Sequence, residues 1–382
     1  MNKSPIYDRI GKILSEKKQS FLFRTIPSSI ELCDIDMSTN SYLWLHKEPE
    51  VARAAKALVK DQFHGNCASR LVSFNSPLFS ELEAEIAAWE GAETALVFNS
   101  GYAANLGIIQ AICTQSIEVF SDKLNHASII DGIRLSKAKT TCFSHCDMAD
   151  LKRLLEASNE KEKLIVTDSV FSMDGDCAPL SDICDLARRY GCMVMVDEAH
   201  ATGVFGKNGS GLVEELGLEG SIDIRMGTLS KSIAGMGGYF AGSAMLRDFL
   251  VNTSRSLIYS TALPHSALAW DLAAIRYIRN NPGIGKKLLE KAARLRNEFQ
   301  KAGFNTLSST THIIPCVLGE EASALSLSAH LKKNGIKAPA IRPPTVSVGS
   351  ACVRFSVHSG LSKEDCEGVV EAMKSWKGAK PA

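Results

Sequence analysis

Short apolar runs rich in β-branched residues alternate along the chain with longer stretches whose apolar positions recur every three or four residues. That rhythm predicts strands joined by helices, and so a mostly parallel sheet covered by helices on both faces. Strands are predicted at Thr94 to Asn99, Lys163 to Asp168 and Cys192 to Asp197. A helical pattern precedes each one: Leu78 to Trp89, Met148 to Ala157, and Pro179 to Tyr190 with Gly191 as its C-cap. After Pro264 the texture changes to a long alanine- and arginine-rich helical stretch, Ser266 to Ala302. Strands near His312 to Val317 and Ala351 to Val357 follow, then a last helix from Ser362. The pattern divides the chain into an N-terminal segment (1–45), a large α/β unit (46–265) and a smaller C-terminal α+β unit (266–382), without internal repeats or low-complexity tracts.

The 382 residues carry 43 basic and 42 acidic side chains, a formal net charge of +1. No surplus of cation is left to neutralise phosphates along a groove, which argues against nucleic-acid binding. No apolar run approaches the ~18 residues of a membrane span, and the N-terminus does not read as a signal peptide, so a soluble cytosolic protein is expected. Eleven cysteines are scattered singly with no Cys-x-x-Cys pair, which reads as reduced thiols. Cys142, His145 and Cys146 come nearest to a metal cluster but lack a second ligand pair at zinc-finger spacing, and no structural metal is expected.

The strand Met193 to Asp197 ends in a carboxylate, with His200 three residues on. Ligands of parallel sheets bind at the carboxyl ends of strands, so both residues point at a site. The letters Asp197-Glu198-Ala199-His200 also occur in nucleic-acid motors, but these need a Gly-x-x-x-x-Gly-Lys-Ser/Thr loop that the chain lacks. Lys231 follows among small hydroxylated residues and glycines, a setting suited to an imine-forming amine, although alone it reads equally as a surface lysine. A third element, Asn99-Ser100-Gly101-Tyr102, opens a helix after a strand, where the amides of Gly101 and Tyr102 can hold a phosphate; alone it is an ordinary N-cap. Together these supply a lysine for an aldehyde, a carboxylate for a ring nitrogen, a phosphate cup and an imidazole, which describes pyridoxal 5'-phosphate.

Asp197 to Gly206, the Lys231 stretch, Asp122-Lys123-Leu124-Asn125-His126-Ala127-Ser128, Phe171-Ser172-Met173-Asp174-Gly175 and Arg342-Pro343-Pro344-Thr345-Val346 closely resemble the α-oxoamine synthases. These are fold-type I pyridoxal-phosphate transferases that condense an amino acid with an acyl thioester and release carbon dioxide, and the resemblance runs from about Arg24 to about Lys363. It implies that Lys231 bonds the cofactor aldehyde and then moves the α-proton, and that Asp197 pairs with the ring nitrogen. His200 would bond the ring hydroxyl and His126 stack on the ring; isolated, His126 would read as a core histidine. Gly101, Tyr102 and Thr228 would take the phosphate, with Thr261 from a neighbouring subunit, which implies a homodimer. Ser172 would lie beside the ring, and Arg354, assisted by Asn40, would clamp the amino-acid carboxylate. Arg24 would lie near the acyl chain, or stand as an exposed arginine.

Within the family, Ala340 to Val346 and Ile258 to Pro264 look most like the branch that joins L-alanine to a pimeloyl thioester, carried on coenzyme A or acyl carrier protein. Rivals are glycine C-acetyltransferase, 5-aminolevulinate synthase and a long-chain acyl condensing enzyme. A non-catalytic partner subunit is the reading from another class, and the presence of Lys231 argues against it. Trp44 and Phe74 stand where relatives carry glycine, Phe79 where a histidine is common and Cys352 where an arginine is common. The bulky substitutions are expected to reshape the acyl-side channel.

Overall fold

Residues 164–166 and 193–196 are apolar at consecutive positions because both faces of their sheet are covered. Ile165, Val194 and Val196 join one apolar cluster, and Leu164, Val166 and Met195 the other. Strands buried on both sides lose the alternation of two and keep the β-branched content. The structure is a computed structural model that describes residues 4–20, 22–24, 26, 33–59, 65–72 and 76–378. Its strands are β1 (Ile35–Asp36), β2 (Thr94–Phe98), β3 (Ile117–Asp122), β4 (Lys139–Phe143), β5 (Glu162–Asp168), β6 (Met193–Asp197), β7 (Ile224–Thr228), β8 (Gly238–Gly242), β9 (Ile313–Gly319), β10 (Ile336–Lys337), β11 (Ala340–Ile341) and β12 (Ala351–Ser356).

Strands β2 to β8 form one sheet in the order β2-β8-β7-β6-β5-β3-β4. Every pair is parallel except those of β8, which runs antiparallel to both β2 and β7. The parallel strands end along one edge: Asp168 lies opposite Asp197, and Asp197 opposite Met226, two residues before Thr228 closes β7. Polar side chains thus gather at the carboxyl edge, where a parallel sheet builds its site. The helix Gly101–Ile112 leaves that edge directly after β2, capped by the Ser100 hydroxyl, which accepts from the Ala103 amide at 3.1 Å.

A second, antiparallel sheet has the order β11-β12-β9 and includes the two strands expected near 312–317 and 351–357. β1 pairs in parallel with β10. The stretch read as one long helix is two, His265–Asn280 and Ile284–Lys301. They part at Asn281-Pro282-Gly283, where proline offers no amide and Gly283 takes a φ of 84°. The first of them packs on the helices Pro49–Val59 and Pro77–Glu90. All eleven cysteines are free thiols. No helix among the described residues is long and apolar enough to cross a membrane.

Candidate active site

Lys231 lies in the turn between β7 and β8, and that turn is fastened from outside. The Asp271 carboxylate accepts from the Met236 amide at 3.2 Å, and the Trp270 indole donates to the Ile233 carbonyl at 2.9 Å. Both come from the helix His265–Asn280. A Cβ on Gly235 would sit 1.8 Å from Asp271 Oδ1, so the turn approaches that carboxyl with no room for a side chain.

The Lys231 Nζ lies 2.8 Å from His200 Nε2, and His200 Nδ1 lies 2.7 Å from the Tyr42 hydroxyl. Tyr42 donates to Asn40 Oδ1 at 3.0 Å, which fixes the other roles: His200 Nδ1–H donates to Tyr42, and the bare Nε2 accepts from lysine. Arg354 Nη1 donates to the same Asn40 oxygen at 3.3 Å and to Ser356 Oγ at 2.7 Å, while its Nε donates to the Ser172 carbonyl at 2.6 Å. One hydrogen-bonded chain thus runs from the lysine to the buried arginine. Burial and the neighbouring lysine hold His200 well below its usual range, and hence neutral.

Burial lowers the Lys231 amine from 10.5 to about 8, against the opposing pull of Asp197 and Asp168. The free base is the nucleophile, and at pH 7 about a tenth of such an amine is unprotonated, against less than ~0.1% for an ordinary lysine. Cofactor-free protein is therefore expected to capture pyridoxal at a rate that rises about tenfold per pH unit up to about 8 and then levels. Stopped-flow absorbance checks this, and a rate still climbing at pH 10 would mean an ordinary surface amine.

Asp197 is 2% exposed, and its carboxylate accepts from Asn105 Nδ2 at 2.7 Å and from the Ala199 amide at 2.8 Å. Asn105 Nδ2 also reaches Ser128 Oγ, which in turn lies 2.6 Å from His126 Nδ1. The His126 amide donates to Asp168 Oδ2 at 2.8 Å, while its ring is exposed. Burial and the charge of Asp197 push Asp168 well above the usual carboxylate range. On the other side, Gly101 opens its helix against Thr228, whose Oγ1 would lie 3.2 Å from a Cβ there. A Cβ on Gly238 would stand 2.6 Å from the Gly101 backbone, so this helix start is packed to the limit glycine allows.

Lys231, His200, Asp197, His126, Asn40, Ser172, Arg354, Gly101 and Thr228 therefore gather along the carboxyl edge with the Tyr102 amide beside Gly101, while Thr261 and Arg24 lie apart. Tyr102 is exposed and its hydroxyl donates to Asp131; Thr261 is exposed, with its carbonyl accepting from Asn99; Arg24 donates to Thr345 Oγ1 at 3.1 Å. Tyr42 and Asn105 had no role in the sequence reading. Their partners are 158 and 92 residues away, a distance that local pattern cannot bridge.

Of the unusual positions, Phe74 falls outside the described residues. Trp44 takes the left-handed backbone (φ 60°) that glycine would supply, and stacks its indole on His358 at 4.0 Å between centroids. Phe79 is buried beneath the Arg70 guanidinium, and Cys352 is buried in β12. Trp44 also meets His46 edge-on, so its ring contacts are with two histidines and that of Phe79 is with Arg70.

The site fits pyridoxal phosphate on its own chemistry. Asp197 is a buried carboxylate held by neutral N–H donors, with no ion-pair partner among the described residues, and a protonated ring nitrogen is the cation it suits. Asn105 Oδ1 beside it is buried without a hydrogen-bond partner among the described residues. A glycine-lined helix start, a lysine of lowered pKa and an exposed imidazole complete the set.

Sheet and site together define a fold-type I pyridoxal-phosphate enzyme. The chain belongs to the aminotransferase class I and II family, whose profile matches residues 34–373, and within it to the α-oxoamine synthases. It is 44% identical over 341 residues to the 8-amino-7-oxononanoate synthase of Geotalea daltonii, covering 88% of this chain and 87% of that one. The protein of that name from Geobacter sulfurreducens is 44% identical over 340 residues, with the same shares covered. The solved Sphingomonas wittichii serine palmitoyltransferase superposes with a TM-score of 0.91 at 27% identity, over 97% of this chain and 98% of that one. The 8-amino-7-oxononanoate synthase of Francisella tularensis gives 0.77 at 26% identity, over 91% and 98%.

Proposed function

We propose that this chain condenses L-alanine with a pimeloyl thioester, releasing carbon dioxide and free thiol to give 8-amino-7-oxononanoate, as a cytosolic step of biotin synthesis. The observation that carries the reading is the 44% identity, over most of both chains, to proteins of that name. Bound pyridoxal phosphate supplies an electron sink for the carbanion at the amino acid's α-carbon. Asp197 would hold the ring nitrogen protonated, His126 would lie on the ring face, and His200 and Ser172 would lie beside the ring oxygen. The amides at Gly101 and Tyr102, with Thr228, would take the phosphate, and the exposed Thr261 would complete the cup of a second copy in a homodimer.

Arg354 would grip the substrate carboxylate with its planar fork, braced by Asn40, and so set which bond stands ready to break. Lys231, with an amine near 8, would take the α-proton and return one to the product. One strand from Arg354, a cavity of about 280 Å³ is lined by Arg24, Arg342, Ile341 and Thr345. Its two guanidinium groups suit the free carboxylate at the far end of a pimeloyl chain.

The test is thiol release by the cofactor-loaded protein with L-alanine, glycine or L-serine, each against pimeloyl-, acetyl- and palmitoyl-CoA and pimeloyl-acyl carrier protein. Turnover with L-alanine and a pimeloyl thioester alone is expected. The higher TM-score to serine palmitoyltransferase favours one rival, L-serine with a long-chain thioester, and turnover with that pair alone would replace the reading.

A further inference from the structure

The sequence reading left His145 without a function, beside Cys142 and Cys146. Cys146 Sγ lies 3.7 Å from its Nε2, but its closer partners lie elsewhere. His145 Nδ1 is 3.0 Å from Asp122 Oδ1, at the end of β3, and Nε2 is 2.9 Å from Asp176 Oδ2, while the ring meets Phe171 edge-on at 4.4 Å. Asp122 is 2% and Asp176 9% exposed. The Cys146 amide donates to the second Asp122 oxygen at 2.9 Å, which seats the turn that carries the histidine. Both ring nitrogens thus face carboxylate oxygens, so both carry protons and the ring is a cation. Burial opposes that charge, but the bonds to Asp122 and Asp176 raise His145 to about 12.

Asp176 and Phe171 bracket the turn 171–177, which closes on itself through Phe171 N to Asp176 O at 3.0 Å and Gly175 N to Phe171 O at 3.0 Å. The Gly175 carbonyl accepts from the Thr311 amide and hydroxyl, at 3.3 and 2.8 Å, just before β9. Near the start of the turn, the Ser172 carbonyl accepts from Arg354 Nε. The turn is therefore tied to β3 through His145 and to the residues before β9 through Gly175, and its Ser172 carbonyl holds the Nε of Arg354, which comes from β12.

We propose that His145 is a positioning residue for the amino-acid carboxylate: by bridging Asp122 and Asp176 it fixes the 171–177 turn whose Ser172 carbonyl aims Arg354. This rests on the reading of Arg354 as the carboxylate clamp. A guanidinium grips a carboxylate well only when its plane is set, and the Nε bond sets that plane. Releasing the Asp176 end lets the turn, and with it the fork, rotate.

The experiment titrates holoenzyme with L-alanine and with L-alaninol, which has the same skeleton and amine but no carboxylate, following the absorbance of the bound cofactor. His145→Ala is expected to weaken L-alanine about tenfold or more, the scale of a charged hydrogen bond lost, and to leave L-alaninol within about twofold. Asp176→Asn keeps the side chain's shape, removes its charge and carries the same test if His145→Ala does not fold. Arg354→Gln is the reference, expected to weaken L-alanine more than either. Equal weakening of both ligands by the His145 or Asp176 variants, or no weakening of L-alanine, would overturn the role of His145 while leaving the clamp standing. If Arg354→Gln itself fails to separate the two ligands, the clamp reading falls and this role falls with it.

Discussion

Lys231→Ala is expected to lower the rate of thiol release on the order of 10⁴-fold, while the protein stays folded and still holds its cofactor. The size follows from how many tasks meet at one atom. Nζ is the one amine in the chain of bonds that joins Asn40, Tyr42 and His200, and its lowered pKa leaves it able to accept a proton near neutral pH. General acid–base catalysis alone contributes ~10²–10⁴-fold, and the covalent hold on the cofactor adds to it. The cofactor should remain because Asp197, His126 and the helix start at Gly101 are untouched, but it should leave on dialysis faster than from the parent. Thermal melting, absorbance before and after dialysis, and thiol release check the three parts. Activity within about tenfold of the parent would remove Lys231 from the proton-transfer role.

Asp197→Asn is expected to reduce turnover roughly 10²- to 10³-fold, the scale of losing one preorganised electrostatic partner. The amide nearly matches the carboxylate in shape but carries no charge. It also brings a second N–H₂ group towards Asn105 Nδ2, which now donates to Asp197 at 2.7 Å, so one of the two amides must turn. L-alanine binding should change little, because the proposed carboxylate grip is at Arg354, on the second sheet. The loss should appear instead in the exchange of the α-hydrogen of L-alanine with deuterated water, which NMR follows without any thioester. Unchanged exchange beside lost turnover would put Asp197 in a later step.

The contrast between legible and hidden parts follows from what local pattern can carry. β5 and β6 were plain because strands covered on both faces are apolar throughout, and Asp197 was plain because it interrupts such a run at its end. β7 and β8 were not. β7 carries the buried Arg225, and β8 begins and ends in glycine, so neither reads as a strand. Those glycines answer to distant neighbours: a Cβ on Gly238 would meet Gly101, and one on Gly242 the Asp223 carbonyl. β4, at the sheet's edge, is mostly exposed and spells Lys-Thr-Thr-Cys, too polar to announce a strand. Trp44 packs its indole on His46 and His358, and only the first of these is near it in sequence. The motifs named most of the residues that gather at the carboxyl edge; they gave no role to Tyr42, Asn105 or Asp271, which bond to those residues or to the lysine's turn.

The strand order also governs when the protein becomes able to work during its own synthesis. β2 meets the rest of the central sheet only through β8, and β8 starts against the backbone of Gly101. A chain leaving the ribosome has made β2 and the Gly101 helix long before β8 exists to join them to β7. Lys231 emerges only just ahead of β8, so the amine and the phosphate cup come into register in the same short interval of translation. Arg354 emerges much later, on β12. The residues proposed to hold the cofactor are thus all made before the arginine proposed to grip the amino acid, an order written into the chain by where its strands fall.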